Sequence, residues 1–209
     1  MTDAPASAAP PVATAGEGLV LGPDGAPRCG WAGSTPIYLA YHDDEWGRPV
    51  RGEQPLFERL SLEAFQSGLS WRTILTKRPA FRRAFAGFEP EKVARFDDGD
   101  RARLLADAGI VRNRAKIDAV ITNAHAVLDL SQSVDGGLDT LVWSFAPDPA
   151  GRPAPRTPRD VPALTVGSAA LAKELKRRGF VFVGPTTAYA TMQACGLVDD
   201  HLAGCVVRG

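Results

Sequence analysis

The sequence predicts an all-α protein. Apolar residues recur at the spacing of a helix in the two most periodic stretches, around residues 56–67 and 117–128. Glycine sits where such stretches should stop, at Gly68, Gly109 and Gly179. The strand signal is minimal throughout.

A chain of 209 residues suits one well-formed core. Its content, 44% hydrophobic and 23% charged, is that of an ordinary soluble domain. The formal net charge of zero argues against a basic coat but leaves room for a local basic stripe. No run of about 18 apolar residues is present to span a membrane. The N-terminus lacks the basic start and apolar core of a signal peptide, so a cytoplasmic location is expected. Three cysteines, an odd number, do not make a disulfide framework, and metal binding is the better expectation in a reducing compartment.

Residues 1–27 are rich in Ala, Pro and Gly and show no period, so they are expected to be a disordered tail ahead of a domain over 28–209. Gly22–Gly25 reads as a turn. RCGWAGSTPIYLAYHDDEWG, residues 28–47, is dense in aromatics, with a short helix expected from Ile37 to His42 after Pro36.

The stretch 56–71, LFERLSLEAFQSGLSW, reads as an amphipathic helix stopped by Gly68. Leu56, Leu60, Glu63 and Ser67 fall on one face. A carboxylate on an apolar face must be paired, protonated or open to a cavity. A carboxylate above the large aromatic Trp71 is what a pocket for a flat, cationic, polar ring would need. The plain alternative is that Glu63 caps or ion-pairs and Trp71 is core. Leu69, apolar in the loop between Gly68 and Ser70, reads as a wedge for a vacated base stack or as a core contact.

WRTILTKRPAFRRAF holds Arg72, Lys77, Arg78, Arg82 and Arg83 with no acid, either a solvated helix face or a phosphate-facing patch. A short helix is expected over 90–95. Residues 100–128 look like helix–turn–helix, with the turn at Ala108-Gly109-Ile110 and a second helix carrying Ile117, Val120, Ile121, Ala124, Val127 and Leu128 inward. Backbone amides at Gly109 with Arg112, Arg114 and Lys116 would grip phosphate. His125 is expected outside. A loop over 129–137, a buried segment over 138–146 and a proline-rich connection follow. Two more helices are expected, one capped by Ser168 and ended by Gly179, the other capped by Thr186 and ended at Cys195-Gly196.

His201 and Cys205 are four apart, which on a helix places both on one face. Cys29 and His42 form a second pair. Together they supply two thiolates and two imidazoles, a closed tetrahedral zinc set clipping the N-terminal segment to the C-terminal one. With no open position the metal would be structural. The alternative is two unrelated pairs of buried residues. Cys195 reads as a buried thiol.

Taken in order, RCGW, YHDDEWG, GLSW after Glu63, DAGIVRNRAKI, VWSF, RGFVFVG and MQACGLVDDH make residues 28–206 resemble the DNA-3-methyladenine glycosylase I family. That resemblance implies a helix-hairpin-helix glycosylase fold, with the hairpin near 100–128, and one structural zinc ion per chain on Cys29, His42, His201 and Cys205. It implies hydrolysis of the N-glycosidic bond of 3-methyladenine, flipped out of alkylated double-stranded DNA, by a monomer. It places the base pocket at Trp31, Tyr38, Tyr41, Glu63 and Trp71, with Glu63 the catalytic group, and the DNA contacts expected beside it are Gly68, Leu69, Gly109, Arg112, Arg114 and Lys116. The family usually reads VNDH where this chain has Val198-Asp199-Asp200-His201. Relatives of the fold often use an Asp beyond the hairpin to assist water, and Asp139 is the candidate, though the resemblance carries no acid to that position.

Overall fold

Helix α2, Glu53–Gln66, is the axis of the core. In the computed structural model, which describes residues 16–208, α3 (Trp71–Ala84), α6 (Arg114–Ser133), α7 (Gly137–Trp143) and α9 (Pro185–Ala194) all pack on it. The amphipathic reading was too narrow here. Leu56, Phe57, Leu60, Leu62 and Phe65 are buried around the whole circumference, and so are the polar Arg59, Ser61 and Glu63. A helix enveloped by others has no solvent face, so its sequence need not be one-sided. Phe57 meets Phe88, and Phe65 meets Phe81 and Phe85, at ring separations of 4.6–6.2 Å. Each such buried ring stabilises the fold by about 1.5–3 kcal/mol.

The remaining helices are α1 (Pro36–Asp44), α4 (Pro90–Val93), α5 (Asp98–Ala106) and α8 (Val166–Arg177). The all-α expectation holds, with one addition. Leu19–Leu21 (β1) pairs antiparallel with Pro27–Cys29 (β2) around the Gly22–Gly25 turn. Much of the expected tail is therefore a hairpin, built of backbone hydrogen bonds that composition does not reveal. The rest of that tail, residues 1–15, lies outside the described residues.

Three boundaries differ from the sequence reading for local reasons. Helix α6 runs on to Ser133 because Leu130 still faces the core, so the loop expected from 129 starts later. Thr165, not Ser168, caps α8; Ser168 is its reciprocal partner in a capping box. Gly184 precedes α9, with Pro185 rather than Thr186 opening it. The C-terminal segment returns over the hairpin: the Val206 amide donates to the Pro27 carbonyl at 2.8 Å, and Leu19, Cys29, Leu202 and Cys205 form a second small core. No described helix is long and apolar enough to cross a membrane.

Candidate active site and metal centre

Five elements converge on one cavity of about 340 Å³. The 3-10 turn Gly30–Ser34 supplies Trp31, and α1, capped by Thr35, supplies Tyr38 and Tyr41. Helix α2 supplies Glu63 and Gln66 from its last turn, and α3 opens with Trp71 because Ser70 caps it. Helix α9 adds Ala190 and Gln193. The five residues expected to hold a base thus line a single cavity. Trp46, Gln66 and Gln193 join them unannounced. Trp46 was one more aromatic in a rich segment, and glutamine on a helix carries no sequence signal.

The walls are rings set at angles. Trp31 lies 5.8 Å from Tyr38 and 5.1 Å from Trp46, both edge-on, and Tyr41 lies 5.5 Å from Trp71. Tyr38 is fixed by the Arg72 amide, which donates to its hydroxyl at 2.8 Å. Glu63 is 6% exposed and makes no hydrogen bond among the described residues. Burial pushes its carboxyl up to about 8, with the Arg59 charge pulling the other way. Near neutral pH it therefore holds its proton in this state. Burial, then Glu63, raises the Tyr41 phenol as well, so Tyr41 remains a donor. Arg59 donates from Nη2 to Glu45, which also takes Arg78 in a pair of 2.6 Å bonds, and Arg59 Nη1 is buried with no hydrogen-bond partner among the described residues.

A second cavity of about 490 Å³ continues the first through Glu63, Gln66 and Ala190. Gly68, Leu69 and Ser70 form one rim, Thr186 and Thr187 the other. Gly68 adopts φ 78°, a left-handed conformation that turns the chain sharply after α2. The turn leaves Leu69 40% exposed at the mouth, so it is not a core leucine.

The expected phosphate grip comes together only in part. Helices α5 and α6 are joined by a hairpin, and a Cβ at Gly109 would lie 3.0 Å from that of Ala80 on α3, so glycine lets the two pack. The Gly109 amide is already spent on Asp107 at 2.7 Å. Arg112 and Arg114 are exposed and make no ion pair among the described residues. Lys116 corrects the expectation: it is buried, and its ammonium donates to the Phe65 and Ser67 carbonyls at 2.8 and 2.6 Å. It satisfies the end of α2, where carbonyls lack helical partners, rather than facing solvent. Of the α3 cations, Lys77 holds the hairpin carbonyls, Arg78 holds Glu45 and Arg82 holds Glu58. Asp139 does not line the cavity; it accepts from the Gly52 amide and Arg51 at the start of α2.

Beyond Trp31 lies the second polar cluster. The ligand atoms of Cys29, His42 and Cys205 fall within 4.8 Å of one another, and all three residues are buried. His201 is not on a helix with Cys205, as spacing suggested, but in an irregular segment whose turn brings the Cys205 amide to the Leu202 carbonyl. Its ring is nonetheless 4.8 Å from that of His42. The test of fit is hydrogen bonding. Both imidazoles give Nδ1 to a carboxylate, His42 to Asp43 at 2.7 Å and His201 to Asp199 at 2.9 Å. That leaves both Nε2 atoms for another partner, and His201 Nε2 is buried with none among the described residues. Carboxylates behind the far nitrogen are the usual second layer of histidine–metal sites. The neighbouring Cys29 thiol holds the Cys205 thiol well below its usual range, and Cys205 in turn raises Cys29. For His42, burial disfavours the charge, but bonds to Cys205 and Asp43 outweigh it and raise the imidazole. This donor set fits a tetrahedral, thiolate- and imidazole-loving cation.

Comparison with known proteins adds an independent line. The Methyladenine glycosylase family matches residues 31–208. The DNA-3-methyladenine glycosylase 1 of Escherichia coli (strain K12) is 48% identical over 178 residues, covering 85% of this chain and 95% of that one. A crystal structure of a 3-methyladenine DNA glycosylase I superposes with a TM-score of 0.81 at 45% identity, covering 87% of this chain and all of the other. The Staphylococcus aureus enzyme, solved to explain 3-methyladenine recognition, superposes at 0.78 with 37% identity over 84% of this chain and 93% of that one.

Proposed function

Since the chain belongs to the methyladenine glycosylase family, we propose that the aromatic cavity is where it receives an alkylated base. The protein is a DNA repair glycosylase that hydrolyses the N-glycosidic bond of 3-methyladenine. The observation that carries the reading of the site is Glu63: a carboxyl, buried and without a hydrogen bond among the described residues, on the wall of a box of rings.

A base inside a duplex is out of reach, so it is flipped out at a cost of a few kcal/mol. Leu69, at the mouth, fills the gap left in the stack. Arg112 and Arg114, at the hairpin before α6, hold the phosphates of double-stranded DNA. The hairpin with its two helices is the helix-hairpin-helix anchor, and the enzyme acts as a monomer in the cytoplasm.

The methylated base carries a positive charge and is an activated leaving group. Trp31 and Trp71 offer it ring faces, and the positive charge beside Glu63 favours its ionised form, so the Glu63 proton passes to solvent as the base enters. The carboxylate then accepts from the exocyclic amine while Tyr41 fixes the ring edge. As the bond from the sugar to the base breaks, its electron pair passes to the base and neutralises it. Water adds to the sugar carbon and releases a proton to solvent. Interactions that strengthen as charge moves in this step accelerate it.

Cys29, His42, His201 and Cys205 would hold one zinc ion. Its chemistry is structural: it ties the segment bearing Trp31 and α1 to the C-terminal segment. The deciding experiment is release of free 3-methyladenine from methylated DNA, with 7-methylguanine as the comparison base. Release of neither base, from folded protein, overturns the reading.

A further inference from the structure

Gln193 lines the aromatic cavity from α9, and its amide is not free to turn. The wholly buried side chain of Asp200 receives three donors. Arg152 Nη2 donates to Oδ1, the Tyr189 hydroxyl to Oδ2 at 2.5 Å, and Gln193 Nε2 to Oδ2 at 2.8 Å. A carboxylate only accepts, so Gln193 must present its NH2 end to Asp200. Tyr189 cannot reverse the chain either. Its oxygen already accepts from Arg152 at 2.6 Å, which sends its own proton to Asp200. The remaining atom is Gln193 Oε1, which accepts no hydrogen bond among the described residues and is not fully enclosed; Gln193 borders the aromatic cavity and also the neighbouring one that Trp31, Trp46 and Asp200 line.

We propose that Gln193 determines base specificity: its Oε1 accepts an N–H of the exocyclic amine of the flipped base, and Asp200, backed by Arg152 and Tyr189, is the positioning residue that fixes this polarity. The inference rests on the reading that the cavity takes a methylated adenine. Glu63 is a poor judge of amine against carbonyl. A carboxyl that gains and loses its proton near neutral pH can donate to one or accept from the other. A pinned amide oxygen can only accept. A 6-oxo purine such as 3-methylguanine sets its own oxygen against Gln193 Oε1, leaving two acceptors facing each other. Sites that make a polar contact to one substrate reject the analogue that lacks it far better than apolar pockets do.

The test measures release of 3-methyladenine and 3-methylguanine from methylated DNA by the full chain and two variants, with circular dichroism to confirm the fold. Gln193→Met keeps the volume and should lower the ratio of the two rates about tenfold. Asp200→Asn can offer Gln193 an NH2 group, so the Gln193 amide turns and 3-methylguanine release rises above the wild-type rate. If Asp200→Asn does not fold, Gln193→Met alone decides. A folded Gln193→Met protein with the wild-type ratio overturns the inference and leaves the functional reading standing. Wild-type protein that releases no 3-methyladenine overturns both. A folded Asp200→Asn protein with the wild-type ratio removes Asp200 from the positioning role.

Discussion

Trp31 stands between two buried polar groups of different kinds. On one side, 5.1 Å away, is the His42 ring, part of a cluster in which both Nδ1 atoms are bonded to carboxylates and His42 Nε2 meets Cys205 Sγ, leaving His201 Nε2 for the ion the cluster would bind. On the other is the cavity with Glu63, which has no hydrogen-bond partner among the described residues. Burying polar groups is costly unless they are bonded. The first cluster meets that cost within the chain and the ion it would bind, and so contributes to holding the fold. The second leaves the cost standing, and under the proposed function an incoming base offsets it. Residue types barely separate the two. What separates them is whether the bonds close.

The largest effect should come from opening the closed cluster. Zinc binding contributes about 10–16 kcal/mol in small finger peptides. Cys205→Ala, or stripping with a strong chelator, should therefore lower the melting temperature sharply, and metal analysis should find about one zinc per wild-type chain. A metal-free chain with unchanged melting temperature would break the comparison at its first term.

Glu63→Gln should do the reverse, sparing the fold while costing function. A hydrogen bond to a charged partner is worth about 1.5–3 kcal/mol, so 3-methyladenine release should fall roughly tenfold to a hundredfold. Stability should change in a pH-dependent direction. The Glu63 carboxyl keeps its proton in the folded chain up to about 8, whereas the unfolded chain releases it near 4.5. Its contribution is thus complete below the lower value and is lost as pH rises through the upper one. Relative to Glu63→Gln, the wild type should become less stable across that window. Melting curves of both proteins at several pH values check this, and parallel curves would count against a buried, protonated Glu63.

Leu69→Ala sits between these cases. With the side chain 40% exposed, its loss should leave the free protein within about 0.5 kcal/mol of wild type. Binding to a duplex holding an abasic site should weaken severalfold. Destabilisation of 2 kcal/mol or more, on the order of a core leucine, with normal binding would show that Leu69 belongs to the fold. The smallest effect is expected at the hairpin. Arg114→Ala should weaken binding to all sequences alike and reduce the salt slope by roughly one. An effect confined to some sequences would mean that Arg114 reads bases.

How far the sequence could be read follows the same division. Periodicity exposed α6, and a carboxylate out of place exposed Glu63, because both are local patterns. The cluster of Cys29, His42, His201 and Cys205 was legible because cysteine and histidine are rare in this chain and chemically particular. Lys116 was misread because a lysine after a turn looks solvated until α2 is seen to end against it. Gln193 and Trp46 gave no signal, since their importance lies in who faces them. Hairpin pairing over 19–29 is a matter of backbone bonds, which alanine, proline and glycine conceal.

The return of the C-terminal segment over the hairpin has a consequence in time. Val206 bonds to Pro27, and the Leu202 amide bonds to the Cys29 sulfur, so contacts that seat Trp31 join residues more than 170 positions apart. A ribosome makes the N-terminal partner first and the C-terminal one last. Helices α2, α3 and α6 can bury their phenylalanines while the chain is still emerging. The wall bearing Trp31 must therefore wait for residues 202–206, and closing so long a loop carries an entropic cost. Loss of residues 202–206 would leave the core around α2 in place but remove the contacts that hold the segment before Trp31.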